Sequence, residues 1–560
     1  MHRPIRLAAP VLALVAASLA GPLAHGASPA AQAPAPAREA TETLAGDLAI
    51  LDLPGVIAAL ESGSVTSEAL VAAYLMRIRT YDDAGPRLNA VLSLNPDALA
   101  IARERDRDRA AGLVRGRLHG VPVLLKDNIE TADPMPTTAG SLALAQNVNR
   151  RDAPLAAGLR AAGAIILGKT NLSEWANFRS TDSISGWSAV GGQTRNPYAL
   201  ARSACGSSSG SGVAASMGFA AGAVGTETNG SILCPSSMNG VVGVKPTVGL
   251  VSRSHIVPIS SSQDTAGPMT RTVTGAAILL TAMAGSDGND PATAEADARR
   301  TDYAAALTGK GLQGKRLGVL RFAQGDDPRL IALFDEAIAV MEAAGAETVE
   351  IEAFEPPDAL WGKAFLVLKA EFKATLNAYL AGTTDAVTVR SLNDLMAFNT
   401  EHSTRELVLF DQDILEQSSA APALDTEDYR DALATVRSAT RTNGILALLK
   451  EHDVDLLVAP SRPPSFMIDV VHGDQYPGGT GADWMAAMAG YPNVTVPMGL
   501  LAGLPVGVSF MGPAWSEVLL LDAALAYEQG RDALAPPSLA PSIAVRPAIA
   551  DAVDPPLPPQ

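Results

Sequence analysis

Cys205-Gly206-Ser207-Ser208-Ser209-Gly210-Ser211-Gly212, followed a dozen residues later by Gly225-Thr226-Glu227-Thr228-Asn229-Gly230-Ser231-Ile232-Leu233-Cys234-Pro235, is the stretch that decides the fold of this 560-residue chain. The first segment precedes a helix of small residues predicted over 213–221. Backbone amides of such a loop, next to a helix N-terminus, can hold an anion. In the second segment the glycines permit close backbone approach and unusual φ/ψ. Successive N–H groups ahead of a serine can form an oxyanion hole. Taken singly, either segment also fits a flexible surface loop, and nothing local singles out Ser231.

Working outward, Gly120-Val121-Pro122-Val123-Leu124-Leu125-Lys126-Asp127-Asn128 is an apolar strand ending on a lysine. Burial disfavours the charged form of a lysine, and a neutral lysine is a base. A solvated strand-end lysine is the plainer alternative. Thr66 and Ser67 are placed to cap a helix that carries Leu70, Val71, Tyr74, Leu75 and Ile78 on one face. Leu155–Ala162 reads as a helix stopped by Gly163, and Ala164–Leu167 as a buried strand. Leu317–Arg321, Arg329–Ala344 and Thr348–Ile351 read as a βαβ unit. Val454–Ala459, Val494–Met498 and Val506–Met511 read as buried strands. This alternation predicts an α/β layer fold with a largely covered sheet. Residues 357–450 are helical, more charged and richer in aromatics (Trp361, Phe365, Phe372, Tyr379, Phe398, Phe410). They read as a helical cap or insertion, or as ordinary helices covering a sheet face.

Together the three segments resemble the amidase signature family. Gly206 to Pro235 matches its Gly/Ser-rich signature in order and spacing. Further family-like pieces are Gly168-Lys169-Thr170-Asn171, Gly240–Thr247, Asp264–Met269, Gly490-Tyr491-Pro492 and Gly503–Gly507. The resemblance covers roughly 45–530. It implies one large α/β domain whose mixed β-sheet core is covered by helices on both faces. It implies a catalytic triad of Ser231 (nucleophile), Ser207 (bridge, following a cis peptide bond) and Lys126 (base). The oxyanion would meet backbone N–H groups of Thr228, Asn229, Gly230 and Ser231. Ser208, Glu227 and Asp127 are expected as supporting residues. The expected reaction is hydrolysis of carboxamides through an acyl-enzyme, with no cofactor and no metal. The seven histidines form no His-Glu-x-x-His pattern. Two departures from the common pattern stand out. Cys205 and Ser209 replace glycines of the loop, and Leu233 stands where many members have arginine. Both resemble the bacterial peptide amidase branch, which makes peptide C-terminal amides the leading substrate class. Small aliphatic, aryl and fatty amides are the alternatives.

Bulk properties bound the rest. With 47% hydrophobic and 18% charged residues the composition is globular. A net charge of −17 repels phosphate backbones, so no nucleic-acid partner is expected. The expected partner is a small-molecule or peptide amide, and a monomer is compatible with the sequence. His2, Arg3 and Arg6 precede an apolar run from Leu7 to Ala20, with small residues around Ala24-His25-Gly26: a signal peptide over 1–26. An Ala/Pro-rich linker is expected over 27–44 and a Pro-rich tail over 531–560. The mature protein is then expected to be exported, periplasmic or secreted, with no membrane-spanning segment. There, Cys205 and Cys234 are either a disulfide or two buried thiols. Three rival readings remain. Gly206-Ser207-Ser208-Ser209-Gly210 formally fits a nucleophile elbow, with Ser208 served by His402, His452 or His472. That elbow needs a preceding hydrophobic strand, and Asn196–Ser203 reads as turn and loop. A transamidation subunit for glutaminyl-tRNA is opposed by the leader and the acidic charge. A non-catalytic binding protein on the same scaffold is opposed by the presence of every triad position.

Overall fold

The apolar run before Lys126 forms a strand buried along its whole length, Pro122–Lys126. In the computed structural model, which describes residues 51–547 together with 43, 44, 47, 549 and 550, it lies inside an 11-stranded sheet. The signal peptide, nearly all of the 27–44 linker and the last ten residues lie outside the described residues. We number the strands of this sheet β1 (Val91–Leu94), β2 (Pro122–Lys126), β3 (Ile165–Thr170), β4 (Gly222–Glu227), β5 (Val242–Lys245), β6 (Thr265–Thr270), β7 (Arg316–Leu320), β8 (Glu347–Ile351), β9 (Leu456–Pro460), β10 (Asn493–Leu501) and β11 (Leu504–Met511). Their spatial order is β1-β3-β2-β4-β6-β5-β10-β11-β9-β7-β8. β2 runs parallel to both β3 and β4, and β7 runs parallel to β8 and β9. The central ladders from β4 to β11 are antiparallel. The sheet is therefore mixed; β2, β3, β4 and β9 are buried along their whole length, as continuous apolar strands in parallel pairs require, while the edge strand β8 is partly exposed.

Local chemistry explains the elements. The Thr66 hydroxyl caps the helix Ser67–Ile78 by accepting from Ala69 N–H. Pro154 opens the helix Pro154–Ala161 that leads into β3. The predicted βαβ unit is β7, the helix Pro328–Ala343 and β8, each boundary within one residue of the reading. The helix predicted over 213–221 is a correction. It spans Ser209–Met217 (α1) and ends where Gly218 turns left-handed at φ 61°. The loop glycines belong to the helix because a neighbouring backbone crowds it. A Cβ on Gly210 would stand 2.2 Å from the Ala90 carbonyl oxygen.

The 357–450 region is built of helices, the longest being α3 (Leu360–Ala381). Its long helix packs on loops, Phe372, Leu376 and Leu380 clustering with Ala139, Leu144, Trp175, Phe178, Val257 and Ile259, whereas Ile445 and Leu448 at its end pack with Leu320, Ile351 and Leu457 of the sheet. The Phe178 and Phe372 rings meet edge-on at 5.0 Å. The two cysteines are not free; Cys205 and Cys234 are disulfide-bonded. The described part of the C-terminal tail is irregular but pinned, with Leu539 N–H donating to the Pro197 carbonyl and Leu200 N–H to the Ala540 carbonyl. Among the described residues no helix is long and apolar enough to cross a membrane.

Candidate active site

β2 and β4 are adjacent and parallel, so their carboxyl ends open on the same edge of the sheet. Lys126 ends β2, and Glu227 ends β4. The Lys126 side chain is fully buried. Its Nζ lies 2.7 Å from Ser207 Oγ, 2.9 Å from Thr226 Oγ1 and 3.2 Å from the Thr226 carbonyl oxygen. Burial pushes the Lys126 ammonium down to about 7, against the opposing pull of the Asp264 and Glu227 charges. Ser207 follows the cis Gly206–Ser207 peptide. Its carbonyl accepts from Ser173 N–H at 3.1 Å, which ties the loop to the β3 end.

Ser231 lies in the turn between β4 and the short helix α2 (Leu233–Met238). It is 8% exposed, and its hydroxyl makes no hydrogen bond to another described residue. Ser208 N–H donates to the Ser231 carbonyl at 3.1 Å, so the two serine loops join through backbone while the Ser207 and Ser231 hydroxyls are not bonded to each other. The N–H groups of Asn229, Gly230 and Ser231 donate to no acceptor among the described residues. They are free for an incoming oxygen. Gly230 sits at φ 81°, and a Cβ there would stand 2.4 Å from an Arg462 guanidinium nitrogen, so only glycine fits. Thr228 turns its hydroxyl away, donating to Asp264 Oδ1 at 2.6 Å. Burial pushes the Asp264 carboxyl up to about 6.

The supporting residues have defined partners. Glu227 Oε2 accepts from Ile232 N–H at 2.7 Å and Leu233 N–H at 3.0 Å, which pins the turn at the start of α2. Asp127 does not touch the Lys126 amine. It accepts from Thr138 N–H at 3.1 Å and pairs with Lys169 of β3 at 3.5 Å, clamping the strand ends together. Ser208 is fully buried, its hydroxyl donating to the Thr226 carbonyl at 3.0 Å and accepting from Thr226 N–H at 3.2 Å. Among the described residues no strand runs directly into it and no histidine bonds it. His402 stacks on Phe398 and His472 pairs with Asp469, so the nucleophile elbow is not formed. Two residues of this cluster carry no sequence signal of their own: Thr226, and Asn128, which donates to Thr226 Oγ1 at 2.9 Å. Asn128, Thr226, Thr228 and Asp264 also line a small cavity of about 30 Å³, with Ala176, Ile256 and Val257 as apolar wall. A groove continues past Asp264 to Arg253, Thr375 and Tyr379, the last two on α3.

Comparison with known proteins identifies the family. The Amidase family profile matches residues 69–521. A probable amidase of Arabidopsis thaliana is 40% identical over 483 residues, covering 84% of this chain and 88% of the relative. The crystal structure of a peptide amidase in complex with the competitive inhibitor chymostatin is 51% identical, with a TM-score of 0.83, covering 87% of this chain and 99% of that one. Native peptide amidase from Stenotrophomonas maltophilia is 50% identical, with a TM-score of 0.82, covering 88% and 99%. With the profile running across the sheet core and this identity sustained along most of its length, the chain belongs to the amidase signature family and is an amide-hydrolysing enzyme.

Proposed function

We propose that this amidase works through Ser231 as nucleophile, Ser207 as proton bridge and Lys126 as base, and that it releases ammonia from the C-terminal amides of peptides. The observation that carries the triad is the set of partners around the Lys126 amine. A neutral lysine has two N–H donors and one lone pair. Two donors suit the Thr226 carbonyl and hydroxyl oxygens, and the lone pair suits the Ser207 hydroxyl at 2.7 Å. Ser207 gives its proton to Lys126 and takes one from Ser231. Ser231 Oγ bonds to the amide carbon, and the carbonyl π pair moves onto oxygen, facing the N–H groups of Thr228 to Ser231. As the tetrahedral species collapses, the C–N bond breaks and its electron pair accepts the proton returned along the same path, so ammonia leaves. Water then attacks the acyl-enzyme by the same steps, forming the acid and freeing Ser231. Catalytic hydrogen bonds commonly tighten only with substrate bound, which fits the unbonded Ser231 hydroxyl.

The base role carries a pH prediction. Lys126 acts only when unprotonated, so activity is retained above its value of about 7 and lost as pH falls through it. Below that value kcat/KM is expected to fall about tenfold per pH unit, the slope of a single titrating base. A pH–rate profile flat from pH 5 to 9 removes lysine from the base role.

Peptide amide specificity is supported by the half-identical relatives, both peptide amidases. It is also supported by the groove that leads from the Thr226 end past Asp264 to α3, which suits an acyl part longer than acetyl. Ammonia release from a panel of dipeptide and tripeptide amides is expected to exceed that from acetamide and benzamide by at least about 100-fold in kcat/KM, as remote binding energy is used at the reacting centre. Equal rates across the panel overturn the assignment. We further propose that the enzyme is exported, periplasmic or secreted. Support comes from the leader-like residues 2–26 and from a disulfide, which persists in oxidising compartments. N-terminal sequencing of the mature protein tests it: a chain retaining residues 1–20 in the cytoplasm counts against export.

A further inference from the structure

The turn that carries Ser231 is held on one side by Glu227. What holds the other side is an ion pair that the triad does not use. Arg462, two residues beyond β9, bonds Asp483 Oδ2 at the start of the helix Asp483–Ala489. Asp483 is 1% exposed on its side chain and Arg462 18%. The guanidinium lies against Gly230: a Cβ on that glycine would be 2.4 Å from Arg462 Nη2 and 3.1 Å from Asp483 Oδ2. Arg462 also lies over the Tyr476 ring, at 5.3 Å. Its Nε is buried with no hydrogen-bond partner among the described residues, so its donors are not exhausted by Asp483. The guanidinium places positive charge beside the backbone next to Ser231, from a distant part of the chain.

We propose that Arg462, anchored by Asp483, is a positioning residue for amide hydrolysis. It fixes Gly230 so that the N–H groups of Asn229–Ser231 face the carbonyl oxygen, and its charge favours that oxygen as it becomes negative. A purely structural ion pair would support the fold and treat substrate and tetrahedral species alike. A preorganised cation acts selectively on the species in which charge has developed. The inference rests on Ser231 as nucleophile, and the experiment separates the two.

The test uses the full-length enzyme, a good peptide amide as substrate, and the corresponding peptide aldehyde, which forms a tetrahedral adduct with the nucleophilic serine. In Arg462→Gln, kcat is expected to fall about 100-fold, the cost of removing one oxyanion-stabilising group. KM should stay within about twofold, because ground-state binding is untouched. Aldehyde affinity should fall by the same factor as kcat. Arg462→Lys, which keeps the charge, should recover part of both. Asp483→Asn, which keeps the cation but weakens its anchor, should lie between Arg462→Gln and the parent. Unchanged kcat and aldehyde affinity in Arg462→Gln overturn the proposal. So does a loss confined to melting temperature or KM. If Arg462→Gln does not fold, Arg462→Lys and Asp483→Asn decide through the same comparison: parallel losses in kcat and aldehyde affinity support it, and parental values in both overturn it. Ser231→Ala in the otherwise unchanged protein tests the underlying reading alone. If that variant still binds the aldehyde covalently, the nucleophile assignment fails whatever Arg462 does.

Discussion

Ser231→Ala is expected to leave a folded enzyme whose kcat is lower by about ten-thousand-fold or more, the usual consequence of deleting a nucleophile that forms a covalent intermediate. The Ser231 hydroxyl makes no hydrogen bond to another described residue, so its removal strands no buried partner. The stability change should stay within about 0.5 kcal/mol, the range for side chains outside packed or bonded networks. Lys126→Met is expected to lose activity to a similar degree for a different reason. The methionine keeps the apolar stem that packs through the end of β2 but removes the amine. That leaves the buried Ser207 Oγ without its partner, while the Thr226 carbonyl and hydroxyl keep Ser208 Oγ and Asn128 Nδ2. Stranding such a buried group costs about 1–3 kcal/mol, so this variant should also melt at a lower temperature. Because the two residues act in one proton path, the double variant should be no slower than the slower single one. Steady-state ammonia release and thermal melting together check the set. Ser231→Ala keeping a tenth of the parental rate would move the nucleophile elsewhere, and additive losses in the double variant would break the proposed path.

Much of this site is legible along the chain because its parts lie in three contiguous segments. A strand that ends on lysine, a Gly/Ser loop and a Gly-rich turn each carry a local pattern. The parallel β2–β4 pair then brings Lys126 and Glu227 to one edge. The βαβ unit was legible for the same reason, a helical pattern between two apolar runs in one contiguous stretch; the structure adds that Asp327 caps the helix and Pro328 opens it. The extent of α1 was not legible. Glycines at 210 and 212 read as loop by propensity, and only the nearby Ala90 and Pro235 backbones explain why they belong in a helix. Thr226 reads as one more residue of the Gly-rich segment until Lys126, Asn128 and Ser208 all bond it. Arg462 is farther still from any pattern. It follows a buried strand by two residues, in a Pro-rich stretch, and meets Gly230 only through the fold. Convergence of this kind depends on strand order, which no local spacing records.

Replacing both Cys205 and Cys234 by serine is expected to lower stability by about 3–4 kcal/mol, the loop-closure entropy of a cross-link spanning residues 29 apart. That is a several-hundred-fold change in the unfolding equilibrium at 25 °C, at about 1.4 kcal/mol for each factor of ten. Activity should fall as well, because of where the bond sits. Cys205 precedes Gly206–Ser207 directly, and Cys234 follows Ser231 by three residues in α2. The bond therefore ties the bridging serine to the nucleophile loop. Without it, their register rests on the hydrogen bond from Ser208 N–H to the Ser231 carbonyl. A displacement of about 1 Å between reacting groups can cost about 100-fold in rate, so kcat should drop by up to that factor with KM little changed. Both cysteines are at most 5% exposed and pack with Met238 and Phe466. Reductant added to the native enzyme should then act slowly, and quickly once denaturant opens the core. Denaturant melts of the parent and the double variant, with kcat measured on each, decide the matter. If the double variant keeps the parental midpoint and kcat, the bond is dispensable, and packing with the hydrogen bond from Ser208 N–H to the Ser231 carbonyl suffices to hold the two serine loops in register.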